Sequence, residues 1–215
     1  MSDLPLADLR QDYGRDALDR QHLSDDPIVQ FEQWYTEASA CREIVEPNTM
    51  TLATSDLQGG VGVRIVLLKG IDKEGLRFFT NYESHKGVQL AENPQAALLF
   101  FWPPLERQVK IQGIVEKLSI SESETYFHSR PRGNQLGTWA SAQSSVVENR
   151  AALEERLAAL ETQYEGKSIP LPPFWGGYLL RPTVFEFWQG RKNRLHDCFR
   201  YRLEKSNWII ERLAP

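Results

Sequence analysis

The sequence has too few cysteines for a disulfide framework, and its histidines are too scattered for a metal site. Its 215 residues include two cysteines, Cys41 and Cys198, which we interpret as reduced thiols of a cytosolic protein. The histidines lack metal-ligand spacing; they are His22, His85, His128 and His196. We therefore predict no metal centre.

Apolar segments of the kind that secretion or membrane insertion requires are also missing. The stretch from Met1 to Asp16 is polar and charged, without the apolar core of a signal peptide. No apolar run approaches the length of a membrane span. We predict a cytoplasmic protein that does not contact a membrane.

The sequence has no general excess of positive charge. It contains 25 Lys and Arg against 29 Asp and Glu, a formal net charge of −4, which argues against bulk nucleic-acid binding. Hydrophobic residues make up 41%, enough for a normal core. The charge is uneven, because Arg181 to Pro215 holds eight basic and four acidic residues. That segment would suit an anionic ligand.

The pattern of elements predicts a mainly β protein with flanking helices. Asp26-Pro27 starts a helix that ends before Pro47, because Asp can cap it and Pro fits the first turn. Short turns then join five strands, which favours an antiparallel barrel. These strands are Met50–Thr54, Val61–Lys69, Leu76–Asn81, Ala96–Trp102 and Arg107–Leu118, with a short helix from Ser84 to Asn93 before the fourth.

The second half adds helices and then returns to strands. Ser121 and Glu124 match a capping box, which predicts a helix start. Glu148–Tyr164 has the periodicity of an amphipathic helix. The predicted late strands are Gly177–Leu180, Val184–Trp188, Leu195–Arg202 and Trp208–Leu213.

Nothing in the sequence marks a convincing domain boundary, and there is no internal repeat. The charged, weakly periodic residues 1–25 are predicted to be a mobile arm. Residues 26–215 are predicted to be a single domain, whose late strands complete the barrel begun by the early ones.

Common catalytic motifs are absent: there is no dinucleotide fingerprint, phosphate loop or nucleophile elbow. What stands out instead is basic residues beside apolar strands. Arg64 and Lys69 end one such strand, where strict alternation puts them on opposite faces. A shared site would need a bend, a bulge or backbone contacts; the alternative is a barrel strand with solvated ends.

Two later segments are also candidates for ligand binding. Arg130 and Arg132 flank Pro131 beside Tyr126, an arrangement that suits a phosphate, although a solvated basic turn fits equally well. The loop from Trp188 to Asp197 holds several cations, an imidazole, a carboxylate and an indole between two strands. Such loops often carry function.

Nine short segments of the sequence are informative together, through their residues and through their order along the chain. They are Arg64–Lys69, Phe78–Asn81, Leu105–Val109, Tyr126–Arg132, Ala142–Ser145, Phe174–Gly177, Glu186–Gly190, Arg194–Asp197 and Glu211–Pro215. In sequence and order they resemble the pyridoxine/pyridoxamine 5′-phosphate oxidase family. Each segment alone is weak evidence for this resemblance. Together the segments span nearly the whole chain and are very specific for the family.

The resemblance implies an FMN-binding split β-barrel and a homodimer with flavin sites at the subunit interface. The implied FMN contacts are Arg64, Ile65, Val66, Leu67, Leu68, Lys69, Phe79, Thr80, His85, Lys86, Gln108, Gln143, Ser144 and Trp188. The implied substrate contacts are Arg10, Tyr13, Lys69, Tyr126, Arg130, Asn134, Arg194 and His196. Tyr126 and Arg130 would meet the substrate phosphate. Arg194 and His196, the implied catalytic pair, would sit over the pyridine ring.

The implied reaction oxidises pyridoxamine or pyridoxine 5′-phosphate to pyridoxal 5′-phosphate. Hydride would pass from the substrate carbon to the flavin, and oxygen would reoxidise the flavin to give hydrogen peroxide. With the amine, hydrolysis of an imine would release ammonia. The protein would bind and orient the reactants, without a strong acid–base dyad.

Three positions depart from the family pattern. His85 stands where an arginine is usual, and Asn134 replaces a usual serine; both keep a polar donor. Cys198 replaces an arginine that would contact the flavin. Because Cys198 loses a charge and several donors, we expect it to lower FMN affinity without changing the reaction type.

Two other functions compete with this interpretation. One is a different split-barrel flavin oxidoreductase, against which the substrate-side segments at Tyr126, Arg130 and Arg194–Asp197 argue. The other is a protein that binds FMN or pyridoxal phosphate without turnover, which Cys198 would favour.

Overall fold

A computed structural model describes residues 12–215, which divide into two compact units. The middle unit comprises Thr49–Leu98 and Gln112–Pro182. The terminal unit comprises residues 12–48 together with Leu99–Ile111 and Thr183–Pro215. Residues 1–11 of the predicted mobile arm, including Arg10, lie outside the described part of the chain.

The middle unit combines an antiparallel sheet with four helices. Its strands pair in the order β2-β1-β5-β6-β7-β4-β3. The strands are β1 (Thr49–Ser55), β2 (Val61–Leu67), β3 (Gly70–Asp72), β4 (Gly75–Asn81) and parts of β5 (Gln95–Trp102), β6 (Arg107–Lys117) and β7 (Trp175–Gln189). The helices are α2 (His85–Glu92), α3 (Ile120–Ser129), α4 (Arg132–Ala140) and α5 (Arg150–Gln163).

The β1–β2 hairpin follows from its turn chemistry. The Asp56 carboxylate accepts hydrogen bonds from the backbone N–H groups of Gln58 and Gly60 at 3.0 and 2.7 Å. Gly59 has a φ of 89°, which glycine adopts without steric penalty. The pairing runs from Ser55 opposite Val61 to Thr49 opposite Leu67. The predicted hairpin is confirmed.

The terminal unit packs one helix against aromatic strand residues. Helix α1 (Pro27–Ala40) begins where the Asp26 side chain accepts the Ile28 N–H, as its Asp-Pro start predicts. Its buried Phe31 lies 4.9 Å from the Phe100 ring, and Trp34 lies 5.2 Å from Phe187. Strand β7 pairs antiparallel with β8 (Asp197–Glu204), which pairs with β9 (Asn207–Leu213).

One sequence prediction was wrong about the late strands. Gly177–Leu180 and Val184–Trp188 belong to a single strand, β7, despite Pro182 between them. Pairing with β4 ends at Leu180, and pairing with β8 begins at Val184. Pro182 lies in the gap between these two ladders, so its missing N–H breaks neither of them.

The capping box was also misplaced, by two residues. Two overlapping Ser-x-x-Glu patterns exist, and helix α3 uses the first: Ser119 accepts the Glu122 N–H while Glu122 accepts the Ser119 N–H. The basic turn considered at Arg130 and Arg132 is partly helical, since α4 begins at Arg132. Strand β8 begins at Asp197, not Leu195, because a 3-10 turn occupies Lys192–Arg194.

Truncating a buried ring in α3 should test the core of the middle unit. Phe127 is fully buried with Leu136, Ile169 and Trp175. Phe127→Ala should lower the free energy of unfolding by about 3–5 kcal/mol through lost burial and a cavity. Ile120, on the same helix, is 78% exposed, so Ile120→Ala should change it by less than about 0.5 kcal/mol. Urea denaturation measures both; equal losses would contradict the assigned core.

Candidate functional site

A cavity of about 860 Å³ opens in the middle unit. Its described lining contains five basic or imidazole side chains and no carboxylate: Arg64, Lys69, His85, Lys86 and Arg130. The sheet supplies Ile65, Val66, Leu67, Phe79 and Thr80, and the helical side supplies Tyr126, Asn134, Gln143 and Ser144. Most of the predicted FMN and substrate contacts therefore meet in one place.

Arg64 is held by neutral oxygens. Its Nη1 donates to the Thr54 hydroxyl at 2.6 Å and to the carbonyls of Gly62 and Leu52 at 3.0 and 3.3 Å. Buried Thr54 in turn donates to Gln89 Oε1 at 2.6 Å. No carboxylate neutralises Arg64 among residues 12–215, so its charge remains available to a ligand.

Lys86 is also held by neutral groups, and its side chain is buried. Its Nζ donates to the Thr80 hydroxyl, the Ser84 hydroxyl and Gln143 Oε1 at 3.0–3.2 Å. Burial, with a smaller contribution from the charge of Arg64, lowers the pKa of Lys86 to about 8. An anion in the cavity would favour its charged form.

Aromatic rings stack along another wall of the cavity. The Tyr126 ring lies 3.8 Å from that of Phe79 and 6.2 Å from that of Trp175, nearly parallel to both. The Arg130 guanidinium lies 4.7 Å from the Trp175 ring centre and donates to the Thr138 hydroxyl at 2.9 Å. These contacts hold Arg130 without an ion pair in the described chain.

The end of β2 explains how Arg64 and Lys69 share the cavity. Strand β2 ends at Leu67, and β3 starts at Gly70. The break interrupts the alternation that would put the two cations on opposite faces. Leu68, within the break, is only 6% exposed and does not line the cavity. An FMN contact from Leu68 would therefore involve its backbone.

The loop at Gln143 and Ser144 has an unusual backbone. Ser144 has a φ of 73°, a left-handed conformation that is uncommon outside glycine. Both residues line the cavity, and Gln143 accepts from Lys86 and Thr80. Strain of this kind is often found at ligand sites.

A second group of predicted residues gathers in the terminal unit. The His196 ring lies 4.6 Å from Trp188 and 5.8 Å from Tyr13, and Tyr13 also lies 5.8 Å from Trp188. The Arg191 N–H donates to His196 Nδ1 at 3.0 Å. Because Nδ1 accepts, the neutral imidazole carries its proton on Nε2.

Arg194 lies beside this group on a strained turn. Asn193 and Arg194 both have left-handed backbones, with φ values of 57° and 59°. Two consecutive non-glycine residues of this kind are costly and need support from their surroundings. Arg194 is exposed, as suits a side chain that meets a ligand.

The remaining predicted residues have different surroundings. Gln108 is partly buried on β6 within the terminal unit. Arg132 donates to the carbonyls of Lys167 and Tyr164 and does not line the cavity, so the suggested phosphate role of Arg132 gains no support. Cys198 is 4% exposed on β8, and burial raises its pKa to about 11, so the thiol stays protonated.

Sequence reasoning missed Trp175 as a cavity residue. The Phe174–Gly177 segment was noted, but no role was given to its indole. The two glycines after Trp175 carried a usable signal. A Cβ at Gly177 would lie 2.7 Å from the Phe79 ring, so glycine lets that ring pack closely against β7.

Within residues 12–215, no cluster of His, Cys, Asp or Glu side chains is arranged to hold a metal ion. In the same part of the chain, no helix has both the length and the apolar character of a membrane span.

Solved structures define the class of fold. The chain is similar to PhzG from Burkholderia lata 383, solved with tetrahydrophenazine-1-carboxylic acid, with a TM-score of 0.87 and 30% identity over 93% of this chain and 98% of that one. It is also similar to a pyridoxamine 5′-phosphate oxidase-related, FMN-binding protein from Nostoc punctiforme, with a TM-score of 0.69 and 18% identity over 90% and 100% of the chains. The antiparallel sheet with flanking helices is a split β-barrel, as predicted.

Sequence comparisons identify the family within that class. Residues 37–164 match the family model described as pyridoxamine 5′-phosphate oxidase, and residues 175–215 match the pyridoxine 5′-phosphate oxidase C-terminal dimerisation region. Pyridoxine/pyridoxamine 5′-phosphate oxidase from Salinibacter ruber is 57% identical over 98% of this chain and 99% of its own length. The namesake from Crocosphaera subtropica is 54% identical over 99% and 100%. The chain belongs to the pyridoxamine 5′-phosphate oxidase family.

The lowered pKa of Lys86 gives a testable dependence of stability on pH. The unfolded chain keeps this proton up to the ordinary pKa of 10.5, whereas the folded chain releases it near 8. Unfolding free energy should therefore rise as pH increases between these values. Relative to Lys86→Met, ligand-free wild type should gain about 2 kcal/mol from pH 7.5 to 10. Urea denaturation of both proteins measures this; parallel pH curves would refute the assignment.

Proposed function

We propose that this chain is an FMN-dependent oxidase that converts pyridoxamine or pyridoxine 5′-phosphate to pyridoxal 5′-phosphate. Oxygen is the electron acceptor and hydrogen peroxide the second product, with ammonia released from the amine. The reaction belongs to vitamin B6 metabolism. The enzyme acts as a homodimer, and its cytoplasmic location stays a prediction from the sequence.

The observation that carries this proposal is the cationic cavity without a lining carboxylate. Its volume of about 860 Å³ exceeds what one small phosphate ester needs and suits a flat cofactor beside a substrate. FMN and both substrates carry phosphate, and guanidinium and ammonium groups are its usual partners. Many phosphate-binding sites share these general features. Because the chain belongs to the pyridoxamine 5′-phosphate oxidase family, we assign them to this one reaction.

The described residues fit FMN. Arg64 and Lys86, held by neutral groups, would bind its phosphate together with His85 and Ser144. The segment Ile65–Leu67 and the polar Thr80 and Gln143 would line its ring system. Lys69, Gln108 and Trp188 remain proposed contacts, and Leu68 a proposed backbone contact.

Substrate binding uses a different subset of residues. Tyr126 and Arg130, fixed by the aromatic stack, would bind the substrate phosphate with Asn134 nearby on α4. Burial lowers the pKa of Arg130. A guanidinium nevertheless stays protonated in proteins, so its charge is available to the phosphate. Arg10 and Tyr13 remain proposed substrate contacts from the N-terminal segment.

Arg194 and His196 would orient the pyridine ring. The chemistry that FMN supplies when bound is hydride acceptance from the substrate carbon and electron transfer to oxygen. The chain itself contributes orientation: Arg194 offers a charged fork, and His196 offers Nε2–H because its Nδ1 is engaged by Arg191. Holding the reactants in a defined geometry lowers the barrier to reaction.

An anaerobic absorbance measurement tests the proposal directly. The purified protein should show a flavin spectrum that bleaches when pyridoxine 5′-phosphate is added without oxygen and returns with peroxide when air enters. Pyridoxine without its phosphate is the matched control and should bleach the protein far more slowly. A flavin spectrum that persists would indicate binding without turnover and would sink the proposed activity.

Arg194→Ala should separate substrate binding from cofactor binding. Removing a charged ligand partner should lower kcat/KM by roughly one to three powers of ten and leave FMN content unchanged. Arg202→Ala is the control, since Arg202 is partly exposed and pairs with Glu204 and Glu211. Equal losses of flavin and activity in Arg194→Ala would instead put Arg194 among the cofactor contacts.

Cys198→Arg should tighten FMN binding without changing substrate choice. Restoring a charged donor should improve affinity by about one to two powers of ten. Arg200 and Arg191 are poor substitutes, because Arg200 pairs with Glu211 and Arg191 binds Asp16 and Asp197. FMN titration of both apoproteins measures the change. Unchanged or weaker binding would mean that this chain has built its flavin contacts elsewhere.

The flavin should require a dimer. Gln108 and Trp188, two of the proposed FMN contacts, do not line the cavity in which most of the others meet, so we expect the partner subunit to supply them. Light scattering with flavin absorbance should therefore find FMN only in dimers, and dilution that yields monomers should release it. A monomer with full FMN occupancy would contradict the homodimer.

A further inference from the structure

One carboxylate ties the N-terminal segment to the proposed substrate-side residues. Glu106 Oε2 accepts the backbone N–H groups of Gly14 and Arg15 at 2.9 and 3.0 Å. These residues directly follow Tyr13, whose ring contacts Trp188 and His196. Neither the family resemblance nor the sequence pattern assigned Glu106 any role.

The Glu106 backbone is itself fixed from two sides. It has a left-handed conformation with a φ of 53°, at the end of the 3-10 turn Pro103–Leu105. Its N–H donates to the Pro103 carbonyl at 2.9 Å, and its carbonyl accepts the Gly190 N–H at 2.8 Å. A non-glycine residue in this conformation is unfavourable unless its surroundings hold it. The carboxylate therefore projects from a rigid base.

Gly190 leaves the space that the Tyr13 and Glu106 side chains need to pack beside it. A Cβ there would lie 2.8 Å from Tyr13 Cγ and 2.9 Å from Glu106 Cβ. Side-chain atoms do not normally approach so closely, so only glycine lets both residues pack against this end of β7. Tyr13, Glu106 and Gly190 thus pack against one another.

Three arginines reinforce the same segment. Arg15 donates to the Pro104 carbonyl at 2.6 Å, and Arg191 donates to the Asp16 carbonyl at 2.8 Å. Arg107 is buried, pairs with Asp16 at 3.2 Å and stacks on Trp34 at 4.4 Å. These contacts fix residues 15 and 16, whereas Glu106 holds the two N–H groups next to Tyr13.

We propose that Glu106 is a positioning residue, whose carboxylate holds Tyr13 against Trp188 and His196. It does not touch the reacting atoms, and its effect passes through the backbone of Gly14 and Arg15. This inference rests on the proposed function, because Tyr13 and His196 are substrate-side residues only in that function. A backbone held in place loses less entropy when ligand binds, so Glu106 should act mainly on KM.

A double-mutant cycle tests whether Glu106 acts through Tyr13. Glu106→Ala should lower kcat/KM for pyridoxine 5′-phosphate about tenfold, with most of the loss in KM and FMN content unchanged. In a Tyr13→Ala background the same substitution should have less than about a twofold effect, because coupled residues are not additive. Full additivity would overturn the proposal.

Conservative variants separate positioning from general damage. Glu106→Gln keeps an oxygen that accepts both N–H groups and should retain most activity. Glu106→Asp keeps the charge but is too short, so it should behave like Glu106→Ala; this variant decides the question if alanine does not fold. Glu204→Ala removes a carboxylate paired with Arg202 on the same unit and should leave kinetics unchanged.

Trypsin cleavage after Arg15 tests the contact without substrate. In the wild-type holoenzyme this bond should be protected, and Glu106→Ala should increase its cleavage rate several-fold, as seen by mass spectrometry. Equal rates would overturn the proposal. If wild type does not oxidise pyridoxine 5′-phosphate, the proposed function fails, and trypsin alone decides whether Glu106 holds the segment. If wild type is active but the cycle is additive, only the inference on Glu106 fails.

Discussion

The site depends on a partly buried arginine and a buried lysine that are solvated by neutral oxygens and not by carboxylates. Arg64 is held by a hydroxyl and two carbonyls, and Lys86 by two hydroxyls and an amide. Such groups satisfy the N–H donors but do not cancel the charge. Burial then makes the uncompensated charge unfavourable, as the lowered pKa of Lys86 records. An anionic ligand relieves this cost, so the cavity is chemically prepared for phosphate.

Arg107 in the terminal unit is a buried cation whose charge, unlike those of Arg64 and Lys86, is compensated by carboxylates. Its guanidinium pairs with Glu37 and Asp16, donates to Gln189 and stacks on Trp34. With its charge compensated and its donors engaged, it has little to offer a ligand. The same side chain thus binds ligand or supports structure according to its partners. Arg130 follows the first pattern, with a hydroxyl, a carbonyl and an indole as its partners.

Local patterns in the sequence predicted most elements, because alternation, capping and turn chemistry act over a few residues. The β1–β2 hairpin and the start of α1 are examples. Errors arose where local information was ambiguous. Two Ser-x-x-Glu motifs two residues apart are equivalent as patterns, and Pro182 ends a strand by ordinary rules. The pairing of β7 with β4 and β8 on either side of Pro182 overrode that rule.

The candidate site, like the fold, could be predicted from the sequence only in part. Residue types and their order, from Arg64 through Arg194–Asp197, pointed to phosphate ligands and to one family before any contact was known. Sequence could not rank Arg130 above Arg132, since the two flank one proline. Their contacts distinguish them. Arg130 lies over the Trp175 ring, whereas Arg132 donates to two backbone carbonyls that follow α5. Trp175 was overlooked for a similar reason, because a buried indole gives no chemical signal of its own.

The sequence by itself determined the types of element, the stock of cations and aromatics, and the family, because these follow from local chemistry and residue order. Only the tertiary structure decided which cations stay uncompensated. Arg107 meets carboxylates 91 and 70 residues away in the chain, whereas Arg64 meets a hydroxyl ten residues away across a hairpin. Electrostatic compensation acts over a few ångströms in space, and no spacing along the chain reveals which distant groups come within that distance.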